Sequence, residues 1–436
     1  MQLELVQIAL ALLAVMGVAL ILGVWVGLAL VLSGIAAMLF VSNVPIGAVF
    51  ATTVWSANSS WTLAALPLFI WMGEILFRTR LSEDLFQGLS PWVNWLPGRL
   101  VHVNVIGCGL FGMVSGSSAA TCATVGKIAL PELRKRGYDE RITIGSLAGS
   151  GTLGLLIPPS IIMIVYAVQA EVSLVQMFLA GFLPGGVVML LYGGYIAVWS
   201  LLNPDKQPPP EPWLGFMQSV KQSAGLIPTV LLILFVFGAL ISGTATATEC
   251  AAWGVLGALI IAWLQGSLTW QSFWGSVMGA TRTTAMIMLI LGGAAFMSAA
   301  MAYTQIPAAV AESVARLNLS PYMLIACLTL FYVILGMFLD GISMIVLTMA
   351  IVLPLVQKAG FDLIWFGVFV VLVVEMAQVS PPVGFNLFVL QSMSGRDSWT
   401  VAYAALPFFF MLILAVAIIT LFPSIALFLP RLVFPA

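Results

Sequence analysis

The sequence predicts an all-α polytopic membrane protein made of two inverted repeats, and three observations predict it. Of the 436 residues, 62% are hydrophobic and only 7% are charged, whereas roughly a quarter of residues are charged in soluble domains. Apolar segments of about 20 residues, enough to cross a bilayer, recur along the whole chain. Two proline pairs, 158–159 and 381–382, stand 223 positions apart within apolar stretches.

The apolar segments predict twelve spans, taken in chain order. They cover about 3–22, 24–42, 61–77, 101–131, 142–169, 174–201, 225–243, 246–264, 283–303, 322–355, 362–393 and 402–429. The N-terminus, MQLELVQIAL, lacks the basic start of a cleaved signal peptide, so we interpret it as the first span. Polar, proline-rich residues 203–212 predict an extended linker. We place a linker segment at 203–223, between halves 1–202 and 224–436.

The charge distribution predicts that spans 101–131 and 322–355 are re-entrant hairpins. Basic residues flank 101–131 on both sides, and a simple crossing would place these two clusters on opposite membrane faces. If both segments return to the face that they enter, eleven Lys and Arg residues lie inside. Three lie outside, Arg316, Lys358 and Arg431, and Lys127 falls within the first hairpin. This bias follows the positive-inside rule and predicts a periplasmic N-terminus.

Matches at one fixed offset predict the internal repeat. At least eight pairs of identical residues are 223 positions apart, among them Asp139/Asp362 and Pro184/Pro407. The predicted topology places the two hairpins on opposite faces, so the repeats have opposite orientation. Inverted repeats of this kind are typical of secondary transporters.

The proline pairs predict two discontinuous helices, at about 142–169 and 362–393. Proline removes a backbone donor and clashes with the preceding turn, and the residue before it is pushed out of the helical region. About one turn should therefore unwind at each pair and free carbonyl oxygens. In inverted-repeat transporters such breaks bind ions and substrates near the bilayer midplane. A simple packing kink is the alternative interpretation.

The composition argues against several classes of protein. His102 is the only histidine, which excludes multi-histidine metal and haem sites. The four cysteines show no CxxC spacing, and no phosphate-binding GxxxxGK[ST] loop occurs. We therefore expect neither an enzyme nor a bound cofactor. A passive channel is disfavoured, since hairpins with paired breaks suit an occluded site better than an open pore.

Polar side chains near the hairpin tips and breaks are candidate ligands. In the first hairpin, GMVSGSSAATCATVG (112–126) combines small residues, which also allow close helix packing, with hydroxyl oxygens. In the second hairpin, Asp340 is a carboxylate at membrane depth, and such a residue is by default expected to be functional. The alternative is that Asp340 faces the membrane interface. Further oxygens beside the breaks are those of Ser150, Thr152, Gln378, Ser380 and Asn386. Glu375 is a weaker candidate that could equally pair across a helix interface.

Seven segments resemble the large membrane (M, DctM-like) subunit of tripartite ATP-independent periplasmic (TRAP) transporters. They are PLFIWMGEILF (67–77), SGSSAAT (115–121), LPELRKRGYDER (130–141), GTLGLLIPPSI (151–161), GTATATE (243–249), GMFLDGIS (336–343) and PPVGFNLFVL (381–390). The resemblance covers essentially the whole chain. One departure is Ser380 before the second proline pair, where the family has threonine, and it keeps the hydroxyl.

The resemblance implies an elevator-type carrier, similar in architecture to the ion transporter superfamily, in which a transport domain containing both hairpins slides past a scaffold. It implies coupling to Na+, a small membrane (Q) subunit, and a periplasmic binding protein that delivers a carboxylate-bearing solute. The expected location is the bacterial inner membrane. A stand-alone sodium-coupled carboxylate transporter or ion exchanger of similar architecture remains the alternative.

The resemblance also implies which residues form the binding sites. The sodium ligands would be Ser115, Ser117, Ser118, Thr121, Gly149, Ser150, Thr152, Gly336, Asp340, Ser343, Val379 and Ser380. The substrate would contact Gly116, Pro158, Pro159, Ser160, Pro381, Pro382 and Asn386. Sodium is the only metal expected.

Overall fold

The computed structural model describes residues 2–40, 45–79, 81–209, 215–307, 309, 312–313, 319–337, 339–380 and 384–434. Within these residues every regular element is a helix. The helices of the first half are α1 (Gln2–Ile21), α2 (Val26–Leu39), α3 (Ile46–Asn58), α4 (Ala65–Phe77), α5 (Leu81–Val93), α6 (Val101–Ser115), α7 (Ser118–Lys135), α8 (Glu140–Gly151), α9 (Leu153–Leu156), α10 (Ile161–Gln169) and α11 (Leu174–Leu202). Those of the second half are α12 (Phe216–Gln222), α13 (Ile227–Ile241), α14 (Ala247–Leu264), α15 (Trp270–Thr304), α16 (Pro321–Leu335), α17 (Gly341–Lys358), α18 (Leu363–Gln378), α19 (Phe385–Ser394), α20 (Ser398–Leu421) and α21 (Ser424–Val433).

The chain is a polytopic membrane protein by the length and hydropathy of its helices. Six of the described segments are long and apolar enough to cross a bilayer. They are Leu174–Leu202, Phe216–Ile241, Ala247–Leu264, Trp270–Thr304, Gly341–Lys358 and Ser398–Leu421. A seventh span is bent by 43° between Glu140–Leu156 and Ile161–Gln169.

Both predicted hairpins are helix–turn–helix units. In the first, only Gly116 and Ser117 separate α6 from α7. In the second, a short connection joins α16 to α17, which begins after Asp340. The re-entrant placement of both hairpins stays a prediction.

Helix boundaries and caps recur at the predicted offset. α7 starts at 118 and ends at 135, and α17 starts at 341 and ends at 358, so both differences are 223. Asp139 caps α8 and Asp362, 223 positions later, caps α18, each accepting hydrogen bonds from two backbone N–H groups. An aspartate cap satisfies donors that lack partners within the helix. These matches support the repeat, whose inverted orientation and division at 203–223 stay predictions.

The helices pack in two groups. α1–α4 pack with α13–α15, and α6–α11 pack with α16–α21. The groups meet where α4 lies against α6 and α15 lies against α17. At the first contact, a Cβ at Gly73 would lie 2.6 Å from the carbonyl oxygen of Val114, so only glycine allows the approach.

Two helices differ from the spans that the sequence predicts. Helix α3 is absent from the predicted spans because its threonines and serine lower its hydropathy. Their hydroxyls are satisfied within the helix, as Thr53 shows by donating to the Val49 carbonyl at 2.6 Å. α15 begins at Trp270 rather than 283, since Thr269 and Ser272 form a capping box there.

The extended conformation predicted for 203–212 is wrong at its start, while the linker segment 203–223 stays a prediction. Residues Pro204–Lys206 form a 3₁₀ turn, because the Gln207 amide donates to the Ser200 carbonyl at 2.6 Å and ties the chain back to α11. Helix α12 occupies 216–222 and continues into α13 as one span.

Candidate functional site

The first proline pair interrupts a buried helix, as its sequence predicts. Ile157, the residue before the pair, has an extended backbone with φ −89° and ψ 124°, which is the conformation that a following proline favours. The helix resumes after Ser160, whose hydroxyl accepts a hydrogen bond from the Met163 N–H at 3.4 Å. Pro158 and Pro159 are buried within this break. The prediction of a discontinuous helix is confirmed at this position.

The tip of the first hairpin lies directly against the break. Gly116 has a left-handed backbone with φ +57°, and a Cβ there would lie 3.0 Å from the Pro159 carbonyl oxygen. The Ile161 N–H donates to the Gly116 carbonyl at 3.5 Å. Both the positive φ and the close approach favour glycine. Hairpin tip and broken helix therefore form one local unit.

Three predicted ligands converge at this tip. The Ser115 Oγ lies 2.7 Å from the Thr121 Oγ1 and 3.3 Å from the Ser117 carbonyl oxygen. Gly154 makes room for them, since a Cβ there would lie 2.4 Å from the Thr121 Oγ1. Hydroxyl and carbonyl oxygens are ligands for hard cations. This tip cluster can therefore offer three oxygens to one ion.

Asp340 occupies the matching position in the second hairpin. Its carboxylate accepts from the Ile342 N–H at 3.1 Å and the Ser343 N–H at 3.2 Å, and also from the Ser343 hydroxyl. These bonds make Asp340 the N-cap of α17, a structural role that is independent of any ion. The side chain is nevertheless exposed at the tip, so its carboxylate also remains accessible to an ion.

Both tips face one cavity of about 650 Å³. Its walls come from the two hairpin tips, the two broken helices, α4 and α15. The polar side chains among its lining residues belong to Glu74, Ser115, Ser117, Ser118, Thr283, Asp340 and Gln378. None of the described residues that line the cavity is Lys or Arg. Its two carboxylates are those of Asp340 and Glu74, of which Glu74 pairs with Arg78 at 3.2 Å.

A second polar cluster lies behind the first and joins the two halves. The Ser118 hydroxyl lies 2.8 Å from the Glu375 Oε2 and 3.1 Å from the Gly151 carbonyl oxygen. The Asn386 Nδ2 donates to the Ser118 Oγ and to the Ala148 carbonyl, both at 3.4 Å. Glu375 and Asn386 are completely buried. Ser118 therefore lines the cavity and also connects α7 and α8 to α18 and α19.

Replacing Glu375 should separate packing from hydrogen bonding in this cluster. Glu375→Ala leaves the Ser118 hydroxyl with one acceptor fewer and opens a cavity, so we expect a loss of stability of about 2–4 kcal/mol. Glu375→Gln keeps an oxygen acceptor at similar volume and should cost less than half of that. Thermal unfolding of the purified chain in detergent measures both. An alanine variant that unfolds at the wild-type temperature would contradict the role of Glu375 as a link between the halves.

Three predicted ligands lie at the end of α8, and two of them, Gly149 and Thr152, are engaged away from the tip cluster. The Thr152 hydroxyl donates to the Gly149 carbonyl at 2.6 Å and lies 3.3 Å from the Tyr192 hydroxyl. Gly149 packs on α20, because a Cβ there would lie 2.6 Å from the Phe408 Cβ. Ser150 is buried, and its Oγ has no hydrogen-bond partner among the described residues. Their role as sodium ligands stays a prediction.

The predicted ligands Gly336, Val379 and Ser380 lie beside or directly after α18. Gly336 ends α16 and packs on α18, since a Cβ there would lie 2.2 Å from the Ala377 Cβ. Val379 and Ser380 follow α18 and are buried, and the Ser380 hydroxyl donates to the Ala377 carbonyl at 3.0 Å. Pro381 and Pro382 lie outside the described residues.

Two cavity residues were not among the sequence candidates. Glu74 on α4 and Thr283 on α15 line the cavity from the other group of helices. A single carboxylate within the apolar segment 67–77 was the available signal for Glu74. Thr283 has no such signal, because a threonine on a long helix is ordinary and only tertiary packing directs it to the cavity.

The family of the chain follows from comparison with known proteins. Residues 13–425 match the family described as the tripartite ATP-independent periplasmic transporter, DctM component. The chain belongs to this family. One relative is the C4-dicarboxylate TRAP transporter large permease protein DctM from Pseudomonas aeruginosa. It is 30% identical to this chain over 382 residues, which is 87% of this chain and 89% of the relative.

Two further comparisons extend this result. The isethionate TRAP transporter permease protein DctMQ of Oleidesulfovibrio alaskensis is 28% identical over 421 residues, covering 94% of this TRAP permease and 64% of that longer relative. Among solved structures, the Alcanivorax borkumensis YdaH transporter has a similar fold, with a TM-score of 0.60 at 10% identity over 90% of this chain and 87% of that one. The relatives are transporter permeases rather than enzymes, which agrees with the absence of an enzyme signature in the sequence.

Proposed function

We propose that this TRAP permease takes up a carboxylate-bearing small solute together with Na+, through the cavity between the two hairpin tips. The single observation that carries the proposal is the composition of that cavity. It combines oxygens of Ser115 and Ser117 with two carboxylates, and none of its described lining residues is a cation. A carboxylate entering it would meet the negative charge of Asp340, whereas the charge of Glu74 is offset by its ion pair with Arg78. Bound Na+ offsets that charge and so makes solute binding depend on the ion.

Ion coupling is energetically sufficient without ATP. Moving one net positive charge inward gains about 2.3 kcal/mol per 100 mV. At about 1.4 kcal/mol per tenfold, this supports a solute gradient of roughly 40-fold before any sodium gradient is added. Two sodium ions carried with one monoanion therefore suffice.

The grouping of the helices supports an elevator mechanism. We infer that α6–α11 with α16–α21, which contain the hairpins and breaks, move as the transport domain. α1–α4 with α13–α15 form the scaffold. The cavity lies at their boundary, since Glu74 and Thr283 come from the scaffold and both tips come from the transport domain. Movement of one group past the other would carry the tips away from α4 and α15.

The partners proposed for the chain follow those of its family. A periplasmic binding protein would deliver the solute, and the C4-dicarboxylate relative supports a carboxylate. The name of the isethionate relative joins M and Q, which supports a Q component as a partner here. We propose the bacterial inner membrane as the location, with a periplasmic N-terminus.

Uptake into proteoliposomes tests the proposed function. The chain is reconstituted with the small membrane subunit and the binding protein of its own system, and the labelled solute is the one retained by that binding protein. We expect uptake only with an inward Na+ gradient, with K+ in place of Na+ as the control. Equal uptake with K+ would contradict sodium coupling. Full activity of the chain without its partners would instead favour the stand-alone transporter.

A further inference from the structure

A second cavity, of about 560 Å³, lies at the far end of the first hairpin from its tip. Three cations line it, Lys127, Arg134 and Lys135, all on α7 and all exposed. Glu140 is the one carboxylate among its described lining residues. The lining residues therefore carry a formal net charge of +2. This basic pocket takes no part in the proposed ion and solute cavity.

The Glu140 carboxylate in the basic pocket is already neutralised by Arg396, which is not one of the three lining cations. The Arg396 Nε donates to the Glu140 Oε2 at 3.1 Å, whereas Arg134 approaches the same carboxylate only to 3.8 Å. Within the part of the chain that the structure describes, neither Lys127 nor Lys135 has an ion-pair partner. Two ammonium groups are therefore available to an anion.

Topology and helix capping account for only part of this charge. Arg134 and Lys135 lie in the last turn of α7, where cations offset the helix dipole and mark the membrane face. Lys127 is eight residues before Lys135, so it lies about 12 Å away from that last turn along the helix axis. The repeat does not require Lys127, since the residue 223 positions later is Ala350, whereas Lys135 is matched by Lys358. Lys127 needs another explanation.

The remaining walls of the basic pocket combine apolar side chains with the hydroxyl-bearing Tyr138, Thr143 and Ser394. Leu130 and Pro131 of α7 face Met393 at the end of α19 across it. The Met393 methyl carbon lies 3.3 Å from the position that a Cβ would take at Gly126. A ligand here meets cations and hydrocarbon at once, which suits an amphipathic anion better than a free one. Basic pockets between membrane helices bind phosphate headgroups of anionic lipids.

We propose that the basic pocket binds the phosphodiester headgroup of an anionic membrane lipid such as phosphatidylglycerol or cardiolipin. Lys127 and Lys135 contact the phosphate, and the lipid's acyl carbons pack on Leu130 and Met393. Because Met393 belongs to the second half and α7 to the first, the bound lipid connects the two halves beside the Glu140–Arg396 pair. The proposal is independent of sodium coupling and of the transported solute.

Lipid binding to the purified full-length chain in nanodiscs tests this proposal. Nanodiscs of phosphatidylcholine receive increasing fractions of phosphatidylglycerol or cardiolipin, and thermal unfolding and native mass spectrometry report binding. Each lysine near a membrane surface contributes about 1 kcal/mol, so Lys127→Gln with Lys135→Gln should weaken apparent lipid affinity about 30-fold. Lys127→Arg should retain the wild-type affinity. Lys206→Gln with Lys221→Gln removes the same charge from exposed positions outside the pocket and should leave the affinity within about twofold.

Three outcomes would overturn the proposal. The first is unchanged lipid affinity in the Lys127/Lys135 variant, and the second is an equal loss in the Lys206/Lys221 control, which would indicate general surface attraction. The third is stabilisation by inorganic phosphate in pure phosphatidylcholine nanodiscs that matches the effect of the lipid, which would make the pocket a free-phosphate site. Wild-type stabilisation by the anionic lipids alone, lost only in the pocket variant, is the expected result.

Discussion

Asp340→Asn is expected to abolish sodium-dependent uptake while leaving the folded chain intact. Asparagine caps a helix about as well as aspartate, so the bonds from the Ile342 and Ser343 N–H groups to this side chain can persist. What the substitution removes is the negative charge at the second hairpin tip. Losing even an outer-shell partner of a metal costs 10–100-fold in affinity. We therefore expect the apparent Na+ affinity in the uptake assay to fall about 100-fold or more.

The chain provides a matched control for this substitution. Asp362 caps α18 with bonds to the Ile364 and Trp365 N–H groups at 2.8 and 3.2 Å, yet it does not line the cavity. Asp362→Asn should keep both its stability and its sodium-dependent uptake. If Asp340→Asn retained the wild-type dependence on Na+, Asp340 would have to be removed from the proposed sodium ligands and kept only as a cap.

Replacing both Pro158 and Pro159 by alanine is expected to cause a loss of uptake of similar size. Each proline disfavours a helix interior by about 3 kcal/mol relative to alanine, so the double substitution allows α9 and α10 to become one continuous helix. The Pro159 carbonyl would then be used within the helix, and the hairpin tip would lose its contact through Gly116 and Ile161. We expect thermal stability to stay near the wild-type value or rise, while sodium-dependent uptake in proteoliposomes is lost.

Pro184 is the control for a general effect of removing proline. It lies inside the continuous helix α11, away from the cavity, and Pro184→Ala should leave uptake within about twofold of wild type. Wild-type uptake by the Pro158/Pro159 double variant would mean that the break serves only packing. An equal loss of uptake in both variants would indicate that the packing of α10 against α11 matters, rather than the break itself.

The architecture was predictable where it depends on local sequence. Hydropathy located most of the spans, and the repeat offset paired Asp139 with Asp362, which the structure shows as caps of equivalent helices. The break at Pro158 followed from proline stereochemistry alone. Helix α3 was not predictable in this way, because its polar residues are accommodated by bonds within the helix and by packing on α15.

The candidate site was predictable by residue type but only partly by arrangement. Ser115, Ser117 and Thr121 converge as a hairpin tip requires. Ser118 is adjacent in sequence, yet its hydroxyl bonds to Glu375 in the other half of the chain. Such long-range pairing depends on how α7 and α18 pack, which neither spacing nor composition specifies. For the same reason Glu375 ranked as a weak candidate although it lies at the centre of the buried cluster.

Equilibrium binding of radioactive sodium to the purified permease tests the central claim most directly, because it requires neither the solute nor the partner subunits. We predict saturable Na+ binding to the wild-type chain, competed by unlabelled Na+ but not by K+, and lost in Asp340→Asn but not in Asp362→Asn. Absence of saturable binding in a wild-type chain that unfolds cooperatively, or identical binding by all three proteins, would contradict the proposal that the cavity between the two hairpin tips holds the coupling ion.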